Sequence, residues 1–188
     1  MHLHVANAKE PFHDDYLGQF DVVHLRLLVG GVQQHEWDGI VRNVLDLLKP
    51  GGFLQWEEID PLATEALRGS KEPSSVANMV RVRKTFIEHG GSRLRYGWNV
   101  LRDIFLDVGM KDVDVDIVTS DRLTETRYVA TLCTMRMCTG SLRRMIKTGS
   151  LQSLDIAEFD KLEEMAYKEI EAGGFYRSKM YISFGFKT

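Results

Sequence analysis

One stretch constrains the fold more than any other. Phe20-Asp21-Val22-Val23-His24-Leu25-Arg26-Leu27-Leu28 is apolar and rich in β-branched residues, and it stops at Gly30-Gly31. Such a near-continuous run reads as a strand covered on both faces, as in a parallel sheet. Trp37, Ile40, Val41, Val44, Leu45 and Leu48 follow at spacings of three and one, one face of an amphipathic helix. Lys49-Pro50-Gly51-Gly52 ends that helix, because proline cannot continue it and glycine turns freely. A second strand, Phe53 to Ile59, completes a strand–helix–strand crossover, which is nearly always right-handed.

After Pro61 the pattern turns helical. Val76, Met79, Val80, Phe86 and Ile87 mark a helix that ends at Gly90-Gly91, and a short helix spans Trp98 to Val108. Val113, Val115 and Ile117 alternate with Asp112, Asp114 and Asp116, the period of a half-exposed strand over Met110 to Thr119. Two helices, Thr126–Lys147 and Asp155–Ala172, precede a closing strand from Tyr176 to Lys187. Asp155 is placed for an N-cap and Gly173 for a C-cap. No repeat or linker divides the 188 residues, so the expectation is one domain over 1–188. Its parts are a strand–helix–strand core at 1–60, helices and a third strand at 61–125, a helical lid at 126–175 and a closing strand at 176–188.

Composition enters through what it excludes. A net charge of −3 with pI ≈ 6.1 gives no electrostatic reason to bind nucleic acid or an anionic membrane. No apolar run approaches the ~20 residues of a membrane span. Cys133 and Cys138 are too few for a disulfide framework, and the first residues lack the pattern of an export signal, so a cytoplasmic protein is expected. The same two cysteines stand five apart, on different faces of a helix, and do not make a metal pair; no metal site is expected.

Phe20 to Arg26, followed by Leu47-Leu48-Lys49-Pro50-Gly51-Gly52-Phe53-Leu54, resembles the central part of a class I S-adenosylmethionine-dependent methyltransferase. The Leu-Lys-Pro-Gly-Gly turn is the most specific piece. His24-Leu25-Arg26 and Gln55-Trp56-Glu57-Glu58, at the ends of the two strands, are similar to methyltransferases of fungal secondary metabolism. The resemblance covers residues 3–60 by motif and 61–188 by architecture. It implies an α/β, partial Rossmann-like fold with strands equivalent to 4-5-7-6 and a helical lid insertion.

In that family a glycine-rich loop after the first strand lets backbone N–H groups approach the cofactor, and an acidic residue ending the second strand holds the ribose. The chain begins after both, so it reads as truncated, and Asn7 and Ala8 are the remnant of the cofactor site that the resemblance identifies. No cofactor is expected, with S-adenosylmethionine admitted only if the missing half is supplied. Removal of the neighbouring strands would turn Phe20–Leu28 into an apolar edge, which invites pairing. The expected partner is a second copy, or a methyltransferase bound through this edge, unless residues 1–18 fold back over it.

Ligands of open α/β sheets bind beyond the carboxyl ends of the strands. That places His24, Arg26, Glu57 and Glu58 as candidate catalytic residues, with Trp56 and Asp60 beside them as substrate contacts. A histidine next to a carboxylate is a proton-transfer pair, and arginine can hold a carboxylate or an enolate oxygen. A purely structural ion pair between Arg26 and Glu57 or Glu58 is the competing reading. Tyr128, Met135 and Arg136 of the lid are candidate substrate contacts, methionine suiting an adaptable apolar wall, while core packing remains the alternative for the methionines.

The functional expectation is a biosynthetic enzyme acting on a small natural product by cyclisation or isomerisation, without methyl transfer. Two alternatives stand beside it. One is an S-adenosylmethionine-dependent methyltransferase completed by another chain or a longer native form. The other is a non-catalytic partner of a full-length methyltransferase.

Overall fold

The computed structural model describes residues 3–69 and 75–188; Met1 and His2, part of the segment read for an export signal, lie outside the described residues. In chain order the elements are β1 (Phe20–Arg26), α1 (Trp37–Leu47), β2 (Leu48–Leu67), α2 (Ala77–His89) and α3 (Leu101–Asp107). β3 (Lys111–Thr119), α4 (Arg127–Lys147), α5 (Ile156–Glu171) and β4 (Phe175–Phe186) follow. The sheet order is β1-β2-β4-β3, the 4-5-7-6 order of the expected Rossmann-like α/β fold. Among the described residues no helix is long and apolar enough to cross a membrane.

The contacts divide the chain into two compact units. The first comprises Met1–Asp60, Ser92–Val118 and Met180–Thr188; the second comprises Pro61–Gly91 and Thr119–Lys179. β2 and β4 each contribute residues to both.

The core of the first unit is the apolar face of α1 against the sheet. Trp37, Ile40, Val41, Val44 and Leu45 are buried, with Leu48, Leu54 and Trp56 of β2 and Leu101 and Phe105 of α3. The Trp37 and Trp56 rings lie 5.7 Å apart at 48°. Burying side chains of this size contributes roughly 1.5–3 kcal/mol each. Gly97 makes the close packing of Trp37 possible. Its φ is +106°, and a Cβ there would fall 2.5 Å from the Trp37 ring.

Two strands depart from the sequence reading. β2 continues through Pro61 to Leu67 instead of giving way to a helix. Its register with β1 ends at Glu57, so Pro61 breaks no ladder bond on that side. β1 is not covered on both faces: Phe20 is 41% and Val22 59% exposed. It stands last in the sheet order, paired among the described residues only with β2.

In the second unit α2, α4 and α5 pack on one another. Their buried faces carry Met79, Val82 and Phe86, then Met135, Cys138 and Leu142, then Phe159, Leu162, Ala166 and Ile170. Burial pushes the Cys138 thiol up to about 12, which keeps it protonated and unreactive. Tyr176 sits among these helices, its hydroxyl donating to the Met79 carbonyl at 2.7 Å, and burial holds that hydroxyl far above the usual phenol range.

The buried Glu169 of α5 caps the start of α2. Its carboxylate accepts from the backbone N–H groups of Asn78 at 3.1 Å and Met79 at 2.9 Å, and from the Asn78 side-chain amide at 2.8 Å. These are the unpaired donors at a helix N-terminus, where a negative charge is favoured. Replacing Glu169 with Ala is expected to lower stability by about 1–3 kcal/mol, seen as a lower urea midpoint at unchanged slope.

Candidate functional site

The parallel register of β1 and β2 builds the site. His24 lies opposite Gln55 and Arg26 opposite Glu57. Residues two apart on a strand share a face, so these four side chains converge at the carboxyl ends of the two strands. Glu57 is the centre. Its Oε1 meets His24 Nε2 at 3.1 Å and accepts from Gln55 Nε2 at 3.0 Å, while its Oε2 meets Arg26 Nε at 3.2 Å. The Glu57 side chain is 18% exposed, whereas His24 is 49% and Arg26 60% exposed, so the carboxylate is sheltered beneath two open partners.

This arrangement orients both partners. A carboxylate at Nε2 favours the tautomer that carries its proton there, which leaves Nδ1 with a lone pair. No hydrogen bond involves Nδ1 of His24 or the Nη groups of Arg26 among the described residues. The site therefore presents a basic nitrogen and two cationic donors to whatever lies beyond the strand ends.

Alternation along β2 turns Glu58 away from this face. It is fully buried, and its carboxylate accepts from Leu28 N–H at 2.8 Å, Val29 N–H at 3.1 Å and Trp56 Nε1–H at 2.8 Å. Glu58 thus holds the loop leaving β1 and does not join His24 and Arg26. Trp56 is likewise fully buried against Trp37, inaccessible to a substrate. The expectations for both residues are corrected by the same alternation that exposes Glu57.

Sequence reading missed Leu27. It follows Arg26 with a φ of +58°, a conformation costing a non-glycine residue about 1–2 kcal/mol. Its N–H donates to the Glu57 carbonyl at 2.9 Å, and the next two N–H groups are those Glu58 accepts. Backbone strain fixed by such surroundings is concentrated at functional sites. No sequence signal marks it, since leucine is not a residue that prefers this region.

The other nominated residues are placed as follows. Asp60 is buried, and its charge, after burial itself, raises the Tyr181 hydroxyl. Tyr128, Met135 and Arg136 belong to the second unit. Tyr128 and Arg136 are exposed on α4, whereas Met135 is fully buried with its sulfur 3.9 Å from the Tyr176 hydroxyl, so it is core and not a pocket wall. Asn7 spends its side chain on its own turn, accepting from Lys9 N–H at 3.2 Å and donating to Glu10 Oε1 at 3.0 Å. The Ala8 carbonyl accepts from Asn43 Nδ2 at 3.0 Å. Gly30 has open space where its Cβ would be, and its carbonyl accepts from Arg93 Nη1 at 3.4 Å. Among the described residues no group of three His, Cys, Asp or Glu side chains is placed to hold a metal ion.

No protein-family model matches the chain. Curated proteins do. Methyltransferase grgD of Penicillium is 25% identical over 177 residues, which cover 94% of this chain and 61% of that protein. The N-methyltransferase tcpN of Claviceps purpurea is 27% identical over 184 residues, covering 93% of this chain and 62% of that protein. The chain is similar to fungal methyltransferases over most of its length. A secondary metabolism regulator of Hypocrea atroviridis is 36% identical over 54 residues, 29% of this chain and 16% of that protein. The chain spans about three fifths of the length of the first two relatives. Among solved structures, a phosphoethanolamine N-methyltransferase of Haemonchus contortus matches 97% of this chain and 36% of that one, with 15% identity and a TM-score of 0.45.

Burial holds the Glu58 carboxyl above the usual range, against the three N–H donors that favour its charge. A raised folded-state value means that its stabilising effect is complete below the unfolded value and declines as pH rises through the folded one. Glu58→Gln places an amide N–H₂ against these donors and is expected to cost about 1–3 kcal/mol. That deficit relative to the wild type should narrow as pH rises from about 4, which chemical denaturation of both proteins at several pH values will show.

Proposed function

We propose that this methyltransferase-related chain is a biosynthetic protein whose His24–Glu57–Arg26 cluster performs proton transfer on a small oxygen-bearing natural product, without methyl transfer by the chain alone. The observation that carries the reading is one carboxylate, Glu57, holding both His24 and Arg26 with their outward nitrogens open. His24 Nδ1 takes a proton from the carbon next to a carbonyl, and the released electron pair moves onto the carbonyl oxygen. The Arg26 guanidinium binds that oxyanion. Where a carbon–carbon double bond adjoins that carbon, the electron pair spreads into a dienolate, and return of the proton at its far carbon moves the double bond and gives isomerisation. Attack of the enolate carbon on a second carbonyl carbon of the same molecule breaks that C=O π bond, and the alkoxide formed takes the proton from the His24 imidazolium, giving cyclisation. Glu57 stabilises the imidazolium while the proton resides on it.

A second reading is favoured by the comparisons. Both long alignments run to relatives named methyltransferases, and the exposed Phe20 and Val22 leave β1 open to pairing. On this reading the same cluster takes the substrate proton, and the part that holds S-adenosylmethionine comes from another chain or a longer native form. A second copy, or a methyltransferase, seated on β1 is the partner this reading requires.

Two measurements separate these readings. Exchange of α-hydrogens of a cyclic enone in D₂O, followed by NMR, should slow by about a hundredfold or more in His24→Ala and in Arg26→Ala, with folding retained because both side chains are largely exposed. Full exchange activity in both variants overturns the assignment. Calorimetry with S-adenosylmethionine should show no binding to the chain alone, and micromolar binding would replace the first reading by the second.

A further inference from the structure

Within the second unit a groove of about 680 Å³ runs beside the far half of β2, a region to which the reading above gives no role. Its volume lies within the roughly 300–1,000 Å³ of small-molecule sites. Leu62, Ala66 and Val80 give it an apolar wall, and Arg83, Arg177 and Lys179 bring three cations. Among the described residues Glu65 is the one acid on the lining, and it is already engaged: Arg177 Nη2 meets its Oε2 at 2.6 Å and Arg177 Nε at 3.2 Å. The lining is therefore cationic in a chain of net charge −3.

The cations are differently prepared. Arg83 is braced, its Nη2 donating to the Pro61 carbonyl at 3.3 Å and to the Leu62 carbonyl, while its buried Nε has no hydrogen-bond partner among the described residues. Lys179 is exposed and makes no ion pair among the described residues. A fixed guanidinium beside a movable ammonium, above an apolar wall, matches a ligand with one anionic end and an apolar body.

We propose that this groove binds a small amphiphilic carboxylate, its carboxylate between Arg83 and Lys179 and its apolar body along Leu62, Ala66 and Val80. This goes beyond the proton-transfer reading and does not depend on it, since none of the groove residues belongs to the His24–Glu57–Arg26 cluster. The probe is indole-3-acetate, titrated into the full chain by calorimetry, with the neutral indole-3-acetamide as control. The acid should bind, with amide-resonance shifts in NMR at Ala66 and Val80, and the amide should bind about tenfold more weakly. Lys179→Glu changes an exposed residue and should weaken the acid about tenfold, while Arg83→Lys, which keeps the charge but not the fork, should weaken it less. The proposal is overturned by equal affinity for acid and amide, by no binding of the acid at millimolar concentration, or by binding that Lys179→Glu leaves unchanged. The hydrogen-exchange assay reads His24 and Arg26 separately, so failure of one proposal is visible without the other.

Discussion

The Glu58 carboxylate is the interaction on which the candidate site depends. It joins two things that would otherwise be independent: the Trp56 indole in the core and the backbone N–H groups of Leu28 and Val29 leaving β1. A carboxylate buried among apolar residues is costly unless each oxygen is met by donors. Here three donors meet two oxygens. That satisfied anchor holds the chain in the strained turn at Leu27, and the turn sets where β1 stops and thus how Arg26 stands over Glu57.

Adjacent residues of β2 consequently do opposite work. Glu57 and Glu58 differ by one position, and the two-residue period of a strand sends one to the open face and the other into the core. The pair read in sequence as two equivalent candidates. In the structure one carboxylate organises accessible nitrogens and the other organises backbone. The same alternation that brings Gln55 to Glu57 buries Trp56 against Trp37.

Much of the fold was legible because its signals are local. The spacing of Trp37, Ile40, Val41, Val44 and Leu45 gives α1 its buried face, and Asp155 caps α5 by accepting from Glu158 N–H at 2.8 Å. The order β1-β2-β4-β3 came from resemblance and not from periodicity, because strand order is set by long-range pairing. What sequence could not show has the same origin. Pro61 reads as a strand breaker until the β1 register is seen to end at Glu57. The groove cations Arg83 and Arg177 lie far apart in the chain, and only the placing of α2 beside β2, with β4 in the second unit, brings both to one groove. Met135 and Tyr128 read alike on a helix, yet the packing of α4 buries one and exposes the other.

The two readings of the chemistry share their first event. Isomerisation of an enone and activation of an N–H or O–H nucleophile both begin with loss of a proton to a nearby base, and both leave electron density that a cation must hold. His24 and Arg26, aligned by Glu57, meet that demand in either case, so the cluster itself does not discriminate between them. Discrimination lies in the surroundings that would hold a methyl donor. Asn7 engages Lys9 and Glu10 within its own turn, while the space at the Gly30 Cβ position is open, which is what close approach of a ligand to a backbone requires. The proposed proton chemistry draws on three side chains already in contact, His24, Glu57 and Arg26, whereas methyl transfer needs in addition a group that holds the donor beside them.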